Sequence, residues 1–258
     1  MSEYNLQKTI PALERSLAFF RPHHLELRSR LVKIFAGIVL CTIVAYIFSE
    51  RIARICITPL LAASPLVGKL VYTNLPEAFI SYIKLALLVG IFTSFPVTLY
   101  QIWMFIAPGL RRDEKKLAII VVFWASLLFA GGGAFAFIAV LPKMLVYLMS
   151  YANEGLEPLP KLGLYLTFVA RTVLTFGLSF QIPFLMVMAG KTDLVRASYF
   201  KSKRMYFYMA ILFLSFLLTA GDFMATALLA IPLFCLYETG IFLSALFSGK
   251  KDTAKAKK

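Results

Sequence analysis

Six apolar runs, each bounded by charge or by a glycine or proline turn, constrain this chain more than any other feature. They fall at about Leu31–Phe48, Tyr82–Ile106, Leu117–Leu141, Leu164–Ala189, Met205–Thr219 and Phe223–Phe247. Several approach or exceed the roughly 18–20 residues that an α-helix needs to cross a bilayer. A transmembrane β-barrel would show short alternating segments of about ten residues, and these are absent. At 60% hydrophobic residues, a soluble domain of 258 residues could not hide so much apolar surface. The expected fold is all-α: a polytopic membrane protein with six transmembrane helices.

The charges orient it. A formal net charge of +14 would suggest nucleic acid in a soluble protein. Here the excess lies in short segments beside the apolar runs, so no nucleic acid partner is expected and the bilayer itself is. Nineteen of the 27 lysines and arginines fall in residues 1–30, 107–116, 191–204 and 248–258, and five fall in the intervening 50–76, 142–163 and 220–223. The positive-inside rule therefore places both termini in the cytoplasm, in agreement with an even number of spans.

Three regions follow. Residues 1–30 read as a cytoplasmic amphipathic segment, with Leu17, Phe19 and Phe20 on its apolar side and no short apolar stretch with a cleavage site. Residues 31–247 form the six-helix domain, and 248–258 a basic tail expected to be disordered. The outer segments Ser49–Pro76 and Pro142–Gly163 carry Pro59, Pro65, Pro76, Pro158 and Pro160 and read as structured caps. Span five covers only about 22 Å at 1.5 Å per residue, against roughly 30 Å of hydrocarbon. Span six reads as short too if its membrane part ends near Glu238. A short pair joined by Ala220-Gly221-Asp222 would thin the bilayer or lean on flanking protein.

Catalytic arrangements are missing. The only histidines are His23 and His24, no His-Glu-x-x-His site exists, Asp222 has no second aspartate beside it, and no glycine-rich phosphate loop appears. Cys41, Cys56 and Cys235 are scattered. No enzyme activity, metal or cofactor is expected. The polar residues within the runs each have two readings. Lys84 snorkels to the outer interface or serves a function, and Arg171 has the same choice. Gln181, just before Pro183, satisfies the backbone freed by that proline or contacts a partner. Glu238 is expected near the inner edge, paired with a cation. Two acids beside span ends stand out: Glu26 and Glu114. Glu26 has the spacing for an i, i+4 pair with Arg30, and Glu114 sits among Arg111, Arg112, Lys115 and Lys116. A carboxylate held at a membrane boundary is also a receptor for the forked guanidinium of arginine.

Six motifs, in order and spacing, carry a resemblance. They are His23-His-Leu-Glu-Leu-Arg28, Thr58-Pro-Leu60, Phe95-Pro-Val-Thr-Leu-Tyr-Gln-Ile-Trp103, Phe105-Ile-Ala-Pro-Gly-Leu110 with Glu114, Ser179-Phe-Gln-Ile-Pro183, and Leu217-Leu-Thr-Ala-Gly-Asp222 followed by Leu228-Leu-Ala-Ile-Pro232. From about His23 to Phe247 the sequence resembles the TatC family, the multispan receptor subunit of the twin-arginine protein translocase. The resemblance implies a protein of the bacterial cytoplasmic (inner) membrane. It implies binding of the twin-arginine signal peptides of folded cargo by Glu26 and Glu114, with Arg28, Phe105 and Leu110 shaping the site. It implies a transport-important loop position at Pro59. Single-span TatA- and TatB-type subunits are the implied partners, with Phe216 and Thr219 on their docking surface and a polar patch at Gln181 and Thr226. Self-association in a receptor complex and export driven by the proton-motive force complete the implication. Many family members carry glutamate where Gln181 stands and glutamine where Thr226 stands, so the patch is weakened here.

Two other classes compete. A small-solute secondary transporter would use helices broken at Pro96, Pro183 and Pro232, but the chain has no repeated half and few midplane charges. A scaffold without a ligand is the third reading.

Overall fold

The computed structural model describes residues 26–63, 70–72, 74–106, 112–150, 159–191, 197–219 and 223–255, with side chains described at all of these except 75, 106, 112–118, 191, 197–198, 218, 224 and 247–255. The described chain is helical throughout, apart from one parallel bridge between Val71 and Lys161. The helices are α1 (Glu26–Ile47), α2 (Ser49–Ala63), α3 (Leu75–Thr93), α4 (Phe95–Ile106), α5 (Arg112–Phe135), α6 (Leu141–Met149), α7 (Leu162–Ser179), α8 (Gln181–Lys191), α9 (Ala197–Ser202), α10 (Arg204–Leu218) and α11 (Phe223–Lys255), with a π-helical turn at Ala136–Val140 between α5 and α6.

Five stretches are long and apolar enough to cross a membrane: Glu26–Ile47, Pro76–Thr93, Ile119–Met149, Leu162–Gly190 and Ala225–Leu246. Arg204–Leu217 is a shorter apolar helix, as the reading of span five requires. Span six is not short. Its apolar stretch has 22 residues, enough for about 33 Å. The apolar stretch continues past Glu238, whose carboxylate pairs with the first turns of α10: Arg204 Nη2 lies 2.7 Å from Glu238 Oε2, and the Tyr208 hydroxyl donates to Oε1. The backbone of α11 also continues as helix to Lys255, into the basic segment expected to lack structure.

Proline explains the interruptions. Pro96 and Pro183 lack an N–H and crowd the preceding turn, and the helices on either side divide at Ser94 and Phe180. The Ser94 and Phe180 amides still bond Gly90 and Phe176, so each break bends a span without opening it. Pro142 acts on the third span, where the ladder widens and the Leu141 amide reaches back five residues to the Ala136 carbonyl. Pro59 was expected in a loop. It lies instead inside α2, buried on a face with Ser49, Ala53, Cys56 and Leu60, a spacing that recurs every three to four residues as on one side of a helix. The described parts of the two segments read as caps are tied to each other and to α7. Tyr165 donates to the Cys56 carbonyl at 2.6 Å, and Val71 exchanges backbone bonds with Pro160 and Leu162.

Lipid tails offer helices no hydrophobic reason to associate, so close packing and small residues hold the bundle together. A Cβ on Gly90 would stand 2.7 Å from the Thr42 backbone, and one on Gly132 would stand 2.7 Å from the Phe176 carbonyl oxygen. These glycines let α1 approach α3 and let α5 approach α7. Phe129 then stacks on Phe95 with ring centroids 3.7 Å apart. Two buried clusters result, one centred on α8, α10 and α11 and the other on α2, α3, α6 and α7. Outward, large apolar side chains such as Phe35, Ile47, Ile138 and Tyr206 are exposed. Water would penalise such a surface and a bilayer would not.

Candidate functional site

Three helix ends bear on the predicted signal site: the start of α1, the end of α4 and the start of α5. Arg30, one turn into α1, joins two of them: its Nη2 donates to Glu26 Oε1 at 3.2 Å and its Nη1 to Gln101 Oε1 of α4 at 3.1 Å. Phe105 stands one turn after Gln101, near the end of α4. Glu26 therefore does make the i, i+4 pair that its spacing allows. Its side chain stays 33% exposed, and Oε2 carries no bond among the described residues. Arg28 is exposed on the same turn of α1. The backbone of Glu114 lies in the first turn of α5, where helix-end amides favour an acid. Its side chain, like the whole of Leu110 and residues 1–25, lies outside the description.

Gln181 and Thr226 do not share a patch. Gln181 is buried, and its Nε2 donates across to the Ala125 carbonyl of α5 at 3.0 Å. It ties two helices together and does not repair its own proline break. Thr226 is also buried and sits 2.7 Å, hydroxyl to hydroxyl, from Thr219. Next to Gln181, Pro183 packs on Gly240 of α11. Gly240 is 14 residues beyond Thr226 in the sequence, about 21 Å along the axis. The polar pair that the structure does assemble is Thr219 with Thr226, and Phe216 is exposed on α10 beside it. Ala220, Gly221 and Asp222 lie outside the described residues.

Sequence reasoning missed two cavities. One, of about 400 Å³, is apolar and lies among α2, α3, α5, the π turn and α7, walled by Leu85, Phe92, Gly133 and Val173 and rimmed by the exposed Ile55 and Ile138. The π turn was the available signal, since Pro142 after an apolar run forces irregular backbone there. The second, of about 440 Å³, lies between α3 and α7 and takes in Glu77, Lys84 and Arg171. The sequence pattern starts the second span at Tyr82. The helix begins at Leu75, so Lys84 is a turn or two deeper than expected.

The bundle thus carries a partly exposed carboxylate at helix ends, an apolar cavity further along, and a helix with a bare apolar face. Among the described residues no three His, Cys, Asp or Glu side chains cluster as metal ligands do. Residues 22–232 match the family described as "Sec-independent protein translocase protein (TatC)". The Sec-independent protein translocase protein TatC of Desulforapulum autotrophicum is 34% identical over 234 residues, covering 91% of this chain and 87% of its own. That of Escherichia coli is 33% identical over 228 residues, covering 88% of each. A crystal structure of the twin arginine translocase receptor TatC superposes with a TM-score of 0.80 at 32% identity, covering 88% of this chain and 99% of the solved one. The chain is thus a polytopic membrane protein of the twin-arginine translocation system and belongs to the TatC family.

Proposed function

We propose that this protein is the signal receptor of its translocase, in the cytoplasmic membrane of a bacterium. Its Glu26 end faces the cytoplasm, and six spans include the short α10. The signal's paired arginines meet Glu26 and Glu114, with Arg28, Phe105 and Leu110 around them. The observation that carries this reading is Glu26 itself. It is fixed beside α4 by Arg30, yet its side chain stays a third exposed and one oxygen carries no bond among the described residues.

Discrimination follows from geometry. A carboxylate takes a guanidinium through two parallel bonds and an ammonium through one. An exposed pair contributes under about 1 kcal/mol, so partial desolvation among Phe105 and the lipid headgroups must supply the rest. The apolar part of the signal then runs along the bundle. Phe92, at the near end of the apolar cavity, precedes Gln101 by nine residues, about 14 Å of helix. A signal's apolar stretch of roughly 7–15 residues reaches the cavity as helix. On the far side, α10 presents Phe213, Phe216 and Leu217 outward. That bare face, with Thr219, receives the single-span TatA- and TatB-type subunits, and the short helix thins the bilayer where they gather. Copies of the receptor associate, and the proton-motive force drives export, in keeping with a sequence that holds no glycine-rich phosphate loop.

Photocrosslinking tests the site. A photoreactive residue at position 114 or 26 should capture a twin-arginine signal peptide, and capture should fall when the arginines become lysines. Capture from neither position, with capture from an extracytosolic position such as 58, would overturn the proposal.

A further inference from the structure

The cavity between α3 and α7 takes in none of the residues assigned above to signal binding. Its lining runs from Asn74 and Pro76 at the start of α3, here termed its mouth, to Arg171 and Thr172 of α7, here termed its floor. Lys84 and Arg171 each stand nine residues into their helices, about 13 Å from the helix start. Both side chains are exposed, and neither has a hydrogen bond or ion pair among the described residues. Cations so far into a span are costly unless an opposite charge meets them.

The hydroxyls in the wall cannot supply that charge, and they cannot donate either. Ser81 gives its proton to the Glu77 carbonyl at 2.5 Å, Thr167 to Gly163 at 2.7 Å and Thr172 to Phe168 at 2.9 Å. Their oxygens are left as acceptors. Nearer the mouth, Glu77 Oε1 lies 3.7 Å from where a Cβ on Gly163 would stand, with Ser81 Oγ beside it. From floor to mouth the cavity therefore reads guanidinium, ammonium, acceptor oxygens and carboxylate.

We propose that this cavity binds the headgroup of an ethanolamine phosphoglyceride from the leaflet opposite the Glu26 end. The phosphate meets Lys84 and Arg171, and the ammonium meets Glu77 and the acceptor oxygens. A phosphoglyceride holds its phosphate next to the acyl chains and its amine farther out, which is the order that the cavity complements. A lone anion would answer the floor and leave the mouth unmatched. A choline head has no N–H to donate, and a glycerol head carries no cation. Ile80, Leu164 and Phe168 in the same wall suit the upper acyl chain. The proposal rests on the helices being membrane spans and is independent of what Glu26 binds.

Native mass spectrometry of the full chain tests it. The delipidated protein is titrated with phosphatidylethanolamine, phosphatidylglycerol and phosphatidylcholine of one acyl composition, or with inorganic phosphate. One ethanolamine lipid should be retained in preference to choline lipid by about tenfold, the size of a lost charge-assisted bond. Lys84→Gln with Arg171→Gln should lower retention of the ethanolamine and glycerol lipids alike, by a similar factor. Glu77→Gln should erase the ethanolamine preference and spare glycerol lipid. Arg51→Gln with Arg54→Gln, both exposed on α2, should change nothing. Lys84→Arg with Arg171→Lys keeps both charges and should keep retention. Gly163→Ala, which fills space at Glu77 and Ser81, should lower it without a change of charge. Equal retention of ethanolamine and choline lipids would overturn the proposal. So would wild-type retention in the double glutamine variant, competition by free phosphate at lipid concentrations, or an acid-bearing peptide retained in place of lipid. Signal-peptide binding by the same variants should be unaltered, so failure here leaves the receptor proposal standing.

Discussion

Replacing Arg30 by glutamine separates the two roles open to Glu26. In the free chain Arg30 holds Glu26 at 3.2 Å and Gln101 at 3.1 Å, with the arginine side chain 18% exposed and the glutamate 33%. An i, i+4 ion pair of this kind contributes about 0.3–0.5 kcal/mol. A signal arginine that takes over the carboxylate must displace it. Arg30→Gln removes the competitor, and affinity for a twin-arginine peptide should rise by about twofold. Glu26→Gln removes a charge-assisted bond worth about 1.5–3 kcal/mol, so affinity should fall by roughly ten- to hundredfold. The double variant should follow Glu26→Gln, because Arg30 then has nothing to release. Fluorescence anisotropy of a labelled signal peptide, titrated with the chain in nanodiscs, measures all three, and the gain from Arg30→Gln should shrink as salt screens the pair. A loss on Arg30→Gln as large as that on Glu26→Gln would refute the reasoning. It would mean that the pair is the functional unit, or that Glu26 serves only to hold α1 against α4.

Gly132→Ala should lower stability in detergent by about 1–3 kcal/mol, the usual cost of overpacking, because the new methyl meets the Phe176 carbonyl and the Phe180 ring. Gly131→Ala, with nothing within 4 Å of its Cβ position, should be neutral or better, and paired thermal melts check the contrast. Tyr237→Phe removes the bond from a fully buried hydroxyl to the Phe200 carbonyl at 2.9 Å. It should cost about 1–3 kcal/mol, read in the same melts, without altering signal affinity. Burial pushes the Cys56 thiol up to about 11, because it disfavours the charged form. At pH 8 about one molecule in a thousand is then thiolate. In a chain carrying Cys41→Ser and Cys235→Ser, maleimide should label Cys56 far more slowly than a Thr58→Cys control. The rate should climb about tenfold per pH unit until about pH 11, and equal labelling at pH 8 would contradict the burial.

The bilayer is so demanding a solvent that a one-dimensional pattern settles much of this protein. In lipid every backbone amide must bond within its own segment, so runs such as Leu117–Leu141 and Leu164–Ala189 dictate helices whatever they pack against. The acid at Glu26 and its partner Arg30 were legible from their spacing, and so was the pairing of Glu238 with a cation. What the linear pattern could not resolve was distance between helices. The separation of Gln181 from Thr226 depends on how α8 lies along α11, through Pro183 and Gly240. The true depth of Lys84 depends on where α3 begins, at an Asn74-Leu75-Pro76 start that looks like loop in the sequence. Pro59 reads as a loop residue because proline usually is one, and only the cap formed by α2, Tyr165 and the Val71–Pro160 exchange makes it a buried helical residue. The juxtaposition of Lys84, Arg171 and Glu77 involves two helices almost ninety residues apart in the chain. Periodicity reports which face of a helix is apolar, whereas the neighbour that covers it, or the cavity left uncovered, is set by glycine contacts and proline breaks acting across the bundle.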